Sequence, residues 1–237
     1  DEIVYFTRSG YSHTSKYSTL VWGGDQFVNW GRDDGLPSVI PAALSCGMCG
    51  IGYYHTDIGG YTTFAPIFTR SSELFMRWAE QTAFTMVMRT HESNQPENNV
   101  QFDSNEEVLN HLAKMTQIHV HLKPYLKQLS KEYQEKGVPP MRPLYLHYEN
   151  DQTAHGIQYE YLFGRDLLVA PVIDKGKSSW KVYVPYDPQD PDCWVHVWTG
   201  QKYEPGWHEV PAPLGKPPVF YREGSEQKEL LKKIADF

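Results

Sequence analysis

The 237-residue chain is poor in cysteine, has no excess of positive charge and contains no long apolar run. Its cysteines are Cys46, Cys49 and Cys193, an odd and low number that does not read as a secreted disulfide framework. Cys46 and Cys49 form a C-x-x-C, but late in a helix-like segment rather than where a strand enters a helix, so redox work is not expected. Cys193 alone does not complete a zinc set, and all three are expected as buried small apolar residues. No apolar run approaches the roughly 20 residues that span a bilayer, and no membrane partner is expected of an acidic chain. A formal net charge of -7 argues against nucleic acid. No N-x-S/T sequon occurs, which favours a compartment without glycosylation and hence a cytoplasmic location. The opening acidic pair and strand-like run are not a signal peptide. There is no G-x-G-x-x-G, P-loop or H-E-x-x-H, and Ser9 lacks nucleophile-elbow flanks. No nucleotide, metal or other cofactor is therefore expected.

What is present is a packed-core composition: 40% hydrophobic and 14% aromatic, with 7 Trp and 16 Tyr. That suits a β-rich core or a site that stacks flat ligands. Four apolar runs share one plan. "EIVYF" leads into "TRSG", "TLVW" into "GGDQ", "GIGYY" into "HTDIGG", and "FTMVM" into "RTHE". None alternates cleanly, as expected of strands buried on both faces. Helix-like stretches at 36–49 and 71–83 separate the later runs; the second opens with serine caps and an early Glu. Strands alternating with helices imply a parallel sheet. The first link, residues 9–18, is too short for a regular helix.

Residues 104–136 read as one long amphipathic helix, with Ser104 and Glu107 as a capping box, Gly137 as its end and Pro124 as a kink or split. From about residue 142 the pattern turns all-β: "RPLYLHY", "LLVAPV", "WKVYVPY", "CWVHVWT" and "PPVFYR", then a short helix in the tail. The expectation is an α/β fold: residues 1–140 as the second half of a (β/α)₈ TIM barrel, and residues 141–237 as an antiparallel β-sandwich. Four strands do not close a barrel, so the chain is expected to be the C-terminal portion of something longer.

Each apolar run ends in groups able to do chemistry: Arg8, Asp25, His55 with Asp57, and Arg89 with His91. Polar residues gathered at the carboxyl ends of parallel strands mark an active site. Asp25 and Asp57 are the kind of carboxylate pair that glycoside hydrolysis uses, and Trp22 and Tyr61 supply flat faces for a sugar ring. Either Asp alone is as well read as a helix cap or turn residue; the coincidence of charged groups at four strand ends favours a site. Arg89 and His91 suit hydrogen bonds to hydroxyl groups. His119 and His121 point to different sides of a helix and are expected to be structural.

The segments "FTRSG", "VWGGDQ", "PAALSCGMCGIGYYHTDIGGYTTF" and "AFTMVMRTH", in this order, resemble the second half of the catalytic barrel of family 31 glycoside hydrolases, the α-glucosidase and α-xylosidase group. W-x-G-D, D-I-x-G-[FY] and R-x-H recur there together, and "FGRDLLVAPV" resembles the start of that family's C-terminal β-domains. The resemblance implies that Asp25 is the general acid/base of a retaining mechanism. It implies that Arg8, Trp22, Asp57, Arg89 and His91 line the subsite of the cleaved sugar, so that Asp57 binds hydroxyls rather than acting as Asp25's catalytic partner. The family's nucleophile is an Asp on an earlier strand that nothing here matches; the chain alone is expected to be inactive, its partners being the missing N-terminal half and a small carbohydrate. Gln26 and "HTDIGGY", with His55 and Tyr61, depart from the "DN" and "DICGF" of most α-glucosidases. They are similar to the sulfoquinovosidase branch, where the Tyr at the position of Tyr61 helps recognise a sulfonate. An α-glucosidase or α-xylosidase acting on neutral sugars, or a non-catalytic carbohydrate-binding homologue, are the other readings.

Overall fold

The computed structural model describes residues 3–188, 191 and 193–237. It opens with a parallel sheet of three short strands, β1 (Phe6–Thr7), β2 (Leu20–Trp22) and β3 (Tyr54–His55), in that spatial order. Phe6 pairs with Leu20 and Trp22 with His55, so the carboxyl ends of the strands point the same way. The β1–β2 link holds only a 3₁₀ turn at Thr14–Lys16. The β2–β3 link passes through a 3₁₀ turn at Leu36–Ser38 into α1 (Val39–Met48). Pro41 is tolerated there because the N–H groups of a helix's first turn have no intrahelical partner. α2 (Ser72–Thr82) starts at Ser71, whose hydroxyl accepts the Leu74 N–H at 3.2 Å, a cap worth about 1 kcal/mol.

The outer strands are shorter than their apolar runs. Ile3 and Val4 lie outside β1 and are 82% and 70% exposed, and Glu2 falls outside the described residues. "FTMVM" forms no strand. Phe84 and Thr85 instead finish α2 as turns on Gln81 and Thr82, and the Thr85 hydroxyl donates to the carbonyls of Thr82 and Val87. Parallel pairing survives as a bridge between Ile58 and Thr90, with the Ile58 N–H on the Arg89 carbonyl at 3.0 Å. Segments at a sheet edge have one row of backbone partners instead of two, and these local bonds compete with it.

The helical stretch at 104–136 is two helices, α3 (Glu106–His121) and α4 (Lys123–Lys136), divided ahead of Pro124. The expected capping box is not formed. Asn105 caps α3 by accepting the Val108 N–H at 3.0 Å, while the Ser104 hydroxyl accepts the Gln101 N–H at 2.7 Å. Gly137, at φ 71°, ends α4 as expected. His119 and His121 donate to the Ala83 and Leu230 carbonyls, at 3.1 and 2.8 Å, each on its own side of the helix. Among the cysteines, Cys49 is exposed and Cys46 and Cys193 are only partly buried, against the expectation of full burial; Cys49 sits past the last turn of α1, where the chain leaves the core.

The rest is antiparallel: β4 (Met141–Arg142), β5 (Tyr161–Phe163), β6 (Leu167–Val169), β7 (Ser179–Val184), β8 (Trp194–His196), β9 (Lys202–Tyr203), β10 (Gly206–Pro211) and β11 (Val219–Arg222), then a short α5 (Lys228–Lys232). Six strands form one sheet in the order β4-β5-β6-β11-β8-β9, and β7 with β10 forms the facing ribbon. "RPLYLHY" yields only β4 and a 3₁₀ turn at Leu144–Leu146, because Pro143 has no N–H to continue a ladder. β5, β9 and β10 lie outside the five apolar runs of this region.

The period-two alternation of strands joins the layers. Tyr161, Phe163, Leu167, Val169, Val219 and Tyr221 face the core that also holds Leu74, Phe75, Trp78, Ile118 and Leu122 from the helices. The alternate residues Leu162, Leu168 and Phe220 face Val182, Val184 and Val210 of the ribbon. One hydrophobic core thus continues across residue 140. Polar contacts cross it too. The fully buried Arg77 pairs with Glu80 at 2.8 Å and donates to the carbonyls of Lys177 and Ala212, and Glu80 accepts the Gly215 N–H at 2.6 Å. Removing one member of such a buried pair costs about 3–5 kcal/mol, so α2 is braced firmly from behind. No described helix is long and apolar enough to cross a membrane.

Candidate active site

Arg8, Asp25, His55, Asp57 and Arg89 all lie at or just beyond the carboxyl ends of the parallel segments. β1 delivers Arg8, whose Nη2 reaches Asp25 Oδ2 at 3.3 Å across the end of β2. Trp22, the last residue of β2, has the guanidinium carbons of Arg8 and Arg89 at 5.8 and 5.7 Å from its ring centre. Between β2 and Asp25 come Gly23 and Gly24. A Cβ on Gly23 would stand 2.0 Å from the Tyr54 hydroxyl, so the bulk that glycine makes room for here is the chain's own Tyr54. Gly24 has φ +88°, a left-handed backbone that turns the chain to present Asp25.

The turn carrying Asp25 is stitched to the segment after β3. The Thr62 hydroxyl donates to the Asp25 carbonyl at 2.8 Å, and the N–H groups of Tyr61 and Thr62 both donate to the Gln26 carbonyl at 2.8 Å. Gln26 Nε2 is spent on the Gly23 carbonyl at 2.7 Å, leaving its buried Oε1 without a hydrogen-bond partner. Tyr61 meets His91 edge to face at 5.0 Å. His91 Nδ1 accepts the Ser93 N–H at 3.0 Å, so in the neutral ring the proton sits on Nε2, available as a donor.

Asp57 is wholly buried, with Arg89 Nη2 bound to its Oδ1, while its Oδ2 and the buried Trp22 Nε1 have no hydrogen-bond partner. Burial pushes the Asp57 carboxyl up. Arg89, His91 and the neighbouring Trp22 indole, which sits close without ordinary hydrogen-bond geometry, pull it back down, and Asp25 adds a smaller upward push. His55 takes a guanidinium N–H at Nε2, its ring edge-on to Phe6 at 4.9 Å. Burial, with the Arg89 charge second, lowers its pKa to about 4, so it is neutral near pH 7. Asp25, in contrast, has a side chain 39% exposed. The arrangement offers one accessible carboxyl and, beside it, buried orphan donors and acceptors of the kind that hydroxyl groups satisfy.

Two residues that the motifs did not single out shape the site. Arg70, just before the α2 cap, is buried and makes no close ion pair among the described residues. Its Nη1 donates to the carbonyls of His91 (2.9 Å), Gly60 (3.2 Å) and Ile58 (3.4 Å), its Nε to Val100 (2.8 Å), and its Nη2 to Gln101 Oε1 (3.1 Å). Burial lowers its pKa to about 10. A Cβ at Gly59 would lie 2.3 Å from Arg70 Cδ, which accounts for one glycine of "IGG". Arg70 therefore fixes both loops that carry Asp57, Tyr61 and His91. Asp34, whose carbonyl accepts the Phe27 N–H at 2.7 Å, has its carboxyl pushed up by burial and then by Asp25.

Comparison with known proteins places the chain in a family. The Glycosyl hydrolases family 31 TIM-barrel domain matches residues 1–129, and the Glycosyl hydrolase family 31 C-terminal domain matches residues 137–225. The chain is 50% identical over 233 residues to a sulfoquinovosidase of Escherichia coli and 46% identical over 235 residues to one of Agrobacterium fabrum, in each case over 98% of this chain and 34% of the relative. A solved sulfoquinovosidase from E. rectale, in complex with an aza-sugar inhibitor, superposes with a TM-score of 0.94 at 48% identity, covering 99% of this chain and 34% of that one. The chain thus spans about a third of the length of the relatives it matches, and it belongs to glycoside hydrolase family 31.

Proposed function

We propose that the protein containing this chain is a retaining α-glycosidase that hydrolyses α-sulfoquinovosides. The observation that carries the reading is the stitching of the Asp25–Gln26 turn to Tyr61, found in a chain about half identical to sulfoquinovosidases along almost its whole length. In this reading residues 1–140 are the second half of the catalytic barrel and residues 141–237 a β-domain bracing it. The nucleophile is a carboxylate from chain outside these residues, and the exposed apolar surface at Ile3, Val4 and Tyr11 suits packing against such chain.

Asp25 protonates the glycosidic oxygen as the C–O bond breaks and the nucleophile bonds to the anomeric carbon. The aglycone leaves with that proton. Asp25, now ionised, takes a proton from water, whose oxygen displaces the carboxylate and frees the sugar. Asp57 Oδ2, the Trp22 indole N–H and His91 Nε2–H hold ring hydroxyls. Arg89 fixes Asp57, with His55 behind it, and Arg8 keeps Asp25 in place. Gln26 shapes the turn and offers Oε1. Tyr61 directs its hydroxyl to the sulfonate, directly or through one water.

The test compares aryl α-sulfoquinovoside with aryl α-glucoside on the complete enzyme and its Tyr61→Phe variant. Loss of one hydrogen bond to a charged group costs roughly 1.5–3 kcal/mol, so kcat/KM for the sulfonated substrate is expected to fall about tenfold or more, with the glucoside spared. A wild-type preference for the glucoside, or equal slowing of both, refutes the sulfonate reading.

A further inference from the structure

A second depression, of about 360 Å³, contains none of the residues assigned above to the Asp25 site. Tyr159, Glu160, Trp180, Lys181 and Trp207 wall it, together with Arg32 from the loop that follows Asp25. Its components are of three kinds. Flat faces come from the three aromatics; Trp207 is 48% exposed, yet held by the Lys181 ammonium 4.5 Å from its ring centre and by the Tyr183 ring at 5.2 Å. Rim donors come from Lys181 and from Arg32, which is fixed by Asp174 at 2.6 Å and lies 5.9 Å over the Tyr159 ring. The third component is the Glu160 carboxyl, only 5% exposed, both of whose oxygens accept from the same Tyr183 N–H at 3.0 and 3.2 Å. One backbone donor leaves most of that carboxyl's hydrogen-bonding capacity unused. Burial raises the Glu160 pKa to about 8, so near neutrality it also carries an O–H of its own.

These features select among ligands. An apolar ligand would leave the buried carboxyl unanswered. A cation would meet Arg32 and Lys181. A sugar ring has hydroxyls that both donate and accept, and C–H faces that lie on aromatic rings. We propose that this depression binds a neutral pyranose ring, as a carbohydrate site separate from the one built on Asp25. Trp207 supplies the stacking face, Glu160 takes ring hydroxyls at the inner wall, and Arg32 and Lys181 donate at the rim.

The experiment titrates methyl α-D-glucopyranoside into the complete protein by saturation-transfer NMR, in an Asp57→Ala background that disables the first site. Saturable binding of roughly millimolar affinity is expected. Adding Trp207→Ala should weaken it about fivefold to tenfold, the worth of one aromatic face, while Trp207→Phe retains it. Trp207→Ala alone should leave aryl glycoside hydrolysis and the thermal midpoint unchanged. No saturable binding in the Asp57→Ala protein, or titrations that do not differ with and without Trp207→Ala, overturns the proposal. Since the paired titrations differ only at Trp207, they read this site whether or not Asp25 proves catalytic.

Discussion

Arg89 binds His55 and Asp57 through different edges of one guanidinium: Nε donates to His55 Nε2 at 3.1 Å, and Nη2 donates to Asp57 Oδ1. A guanidinium only donates, so His55 must present a bare Nε2 and carry its proton on Nδ1. That agrees with a ring held neutral by burial and by the Arg89 charge. An ammonium has no rigid fork with which to serve two acceptors at once. Arg89→Lys keeps a charge beside Asp57 but loses the fork; one lost hydrogen bond to a charged group costs about 1.5–3 kcal/mol, so kcat/KM of the complete enzyme is expected to fall about 10–10²-fold. Steady-state kinetics beside a circular-dichroism melt checks this; an unchanged kcat/KM would mean that Asp57 is not held by the fork.

Asp25 is the accessible carboxyl of the site, its side chain 39% exposed beside Arg8. Asp25→Asn is expected to reduce turnover by about 10²–10⁴-fold, the usual worth of general acid–base catalysis. Aryl substrates with very good leaving groups need no protonation, so their glycosylation step should lose much less. Pre-steady-state rates across a leaving-group series decide the matter, and an equal loss throughout would remove Asp25 from the acid role.

Arg70 touches neither Asp25 nor Asp57 by a hydrogen bond, yet it fastens the carbonyls of Gly60 and His91 into one arrangement. Arg70→Lys keeps the charge but cannot span Val100, Gly60 and Gln101 together. The expected outcome is a folded enzyme with a KM raised about tenfold or more, one displaced binding contact being worth about 1.5 kcal/mol. Arg70→Met should also lower the thermal midpoint, since it leaves buried carbonyls bare. An unchanged KM in the lysine variant would show that the loops hold themselves.

The placement of Arg8, Asp25, Asp57 and Arg89 was legible because each stood where an apolar run gave way to polar residues, and parallel strands bring such points together. Strand extent was not legible in the same way. Ile3 to Tyr5 are apolar but lie exposed outside β1, while "GWHEVP" hid a six-residue strand because only its Val210 is buried. Arg70 could not have been found by pattern, since backbone carbonyls are its main partners and every residue type supplies those. The break at Pro124 was readable, but the choice of Asn105 over Ser104 as the cap was not, because both are good caps and the Gln101 N–H takes the serine.

Two kinds of buried group oppose each other in their effect on stability with pH. His55, His111, His147 and His196 are lowered to about 4, each chiefly by burial, from an ordinary 6.5. Between those values the unfolded chain binds more protons than the folded one, so their contribution is complete above about 6.5 and is lost as pH falls towards 4. Glu160 runs the other way. Its folded value of about 8 exceeds the ordinary 4.5, so the folded chain holds a proton the unfolded chain has released, and its contribution declines as pH rises from 4.5 through 8. Glu160→Gln is neutral at every pH and can still accept the Tyr183 N–H. The variant is expected to lose less thermal stability than the wild type between pH 6 and 8.5, and to leave the acid-side decline between pH 6.5 and 4 largely in place. Melts across that range check it. Parallel curves on the alkaline side would show that the Glu160 carboxyl ionises inside the fold without cost.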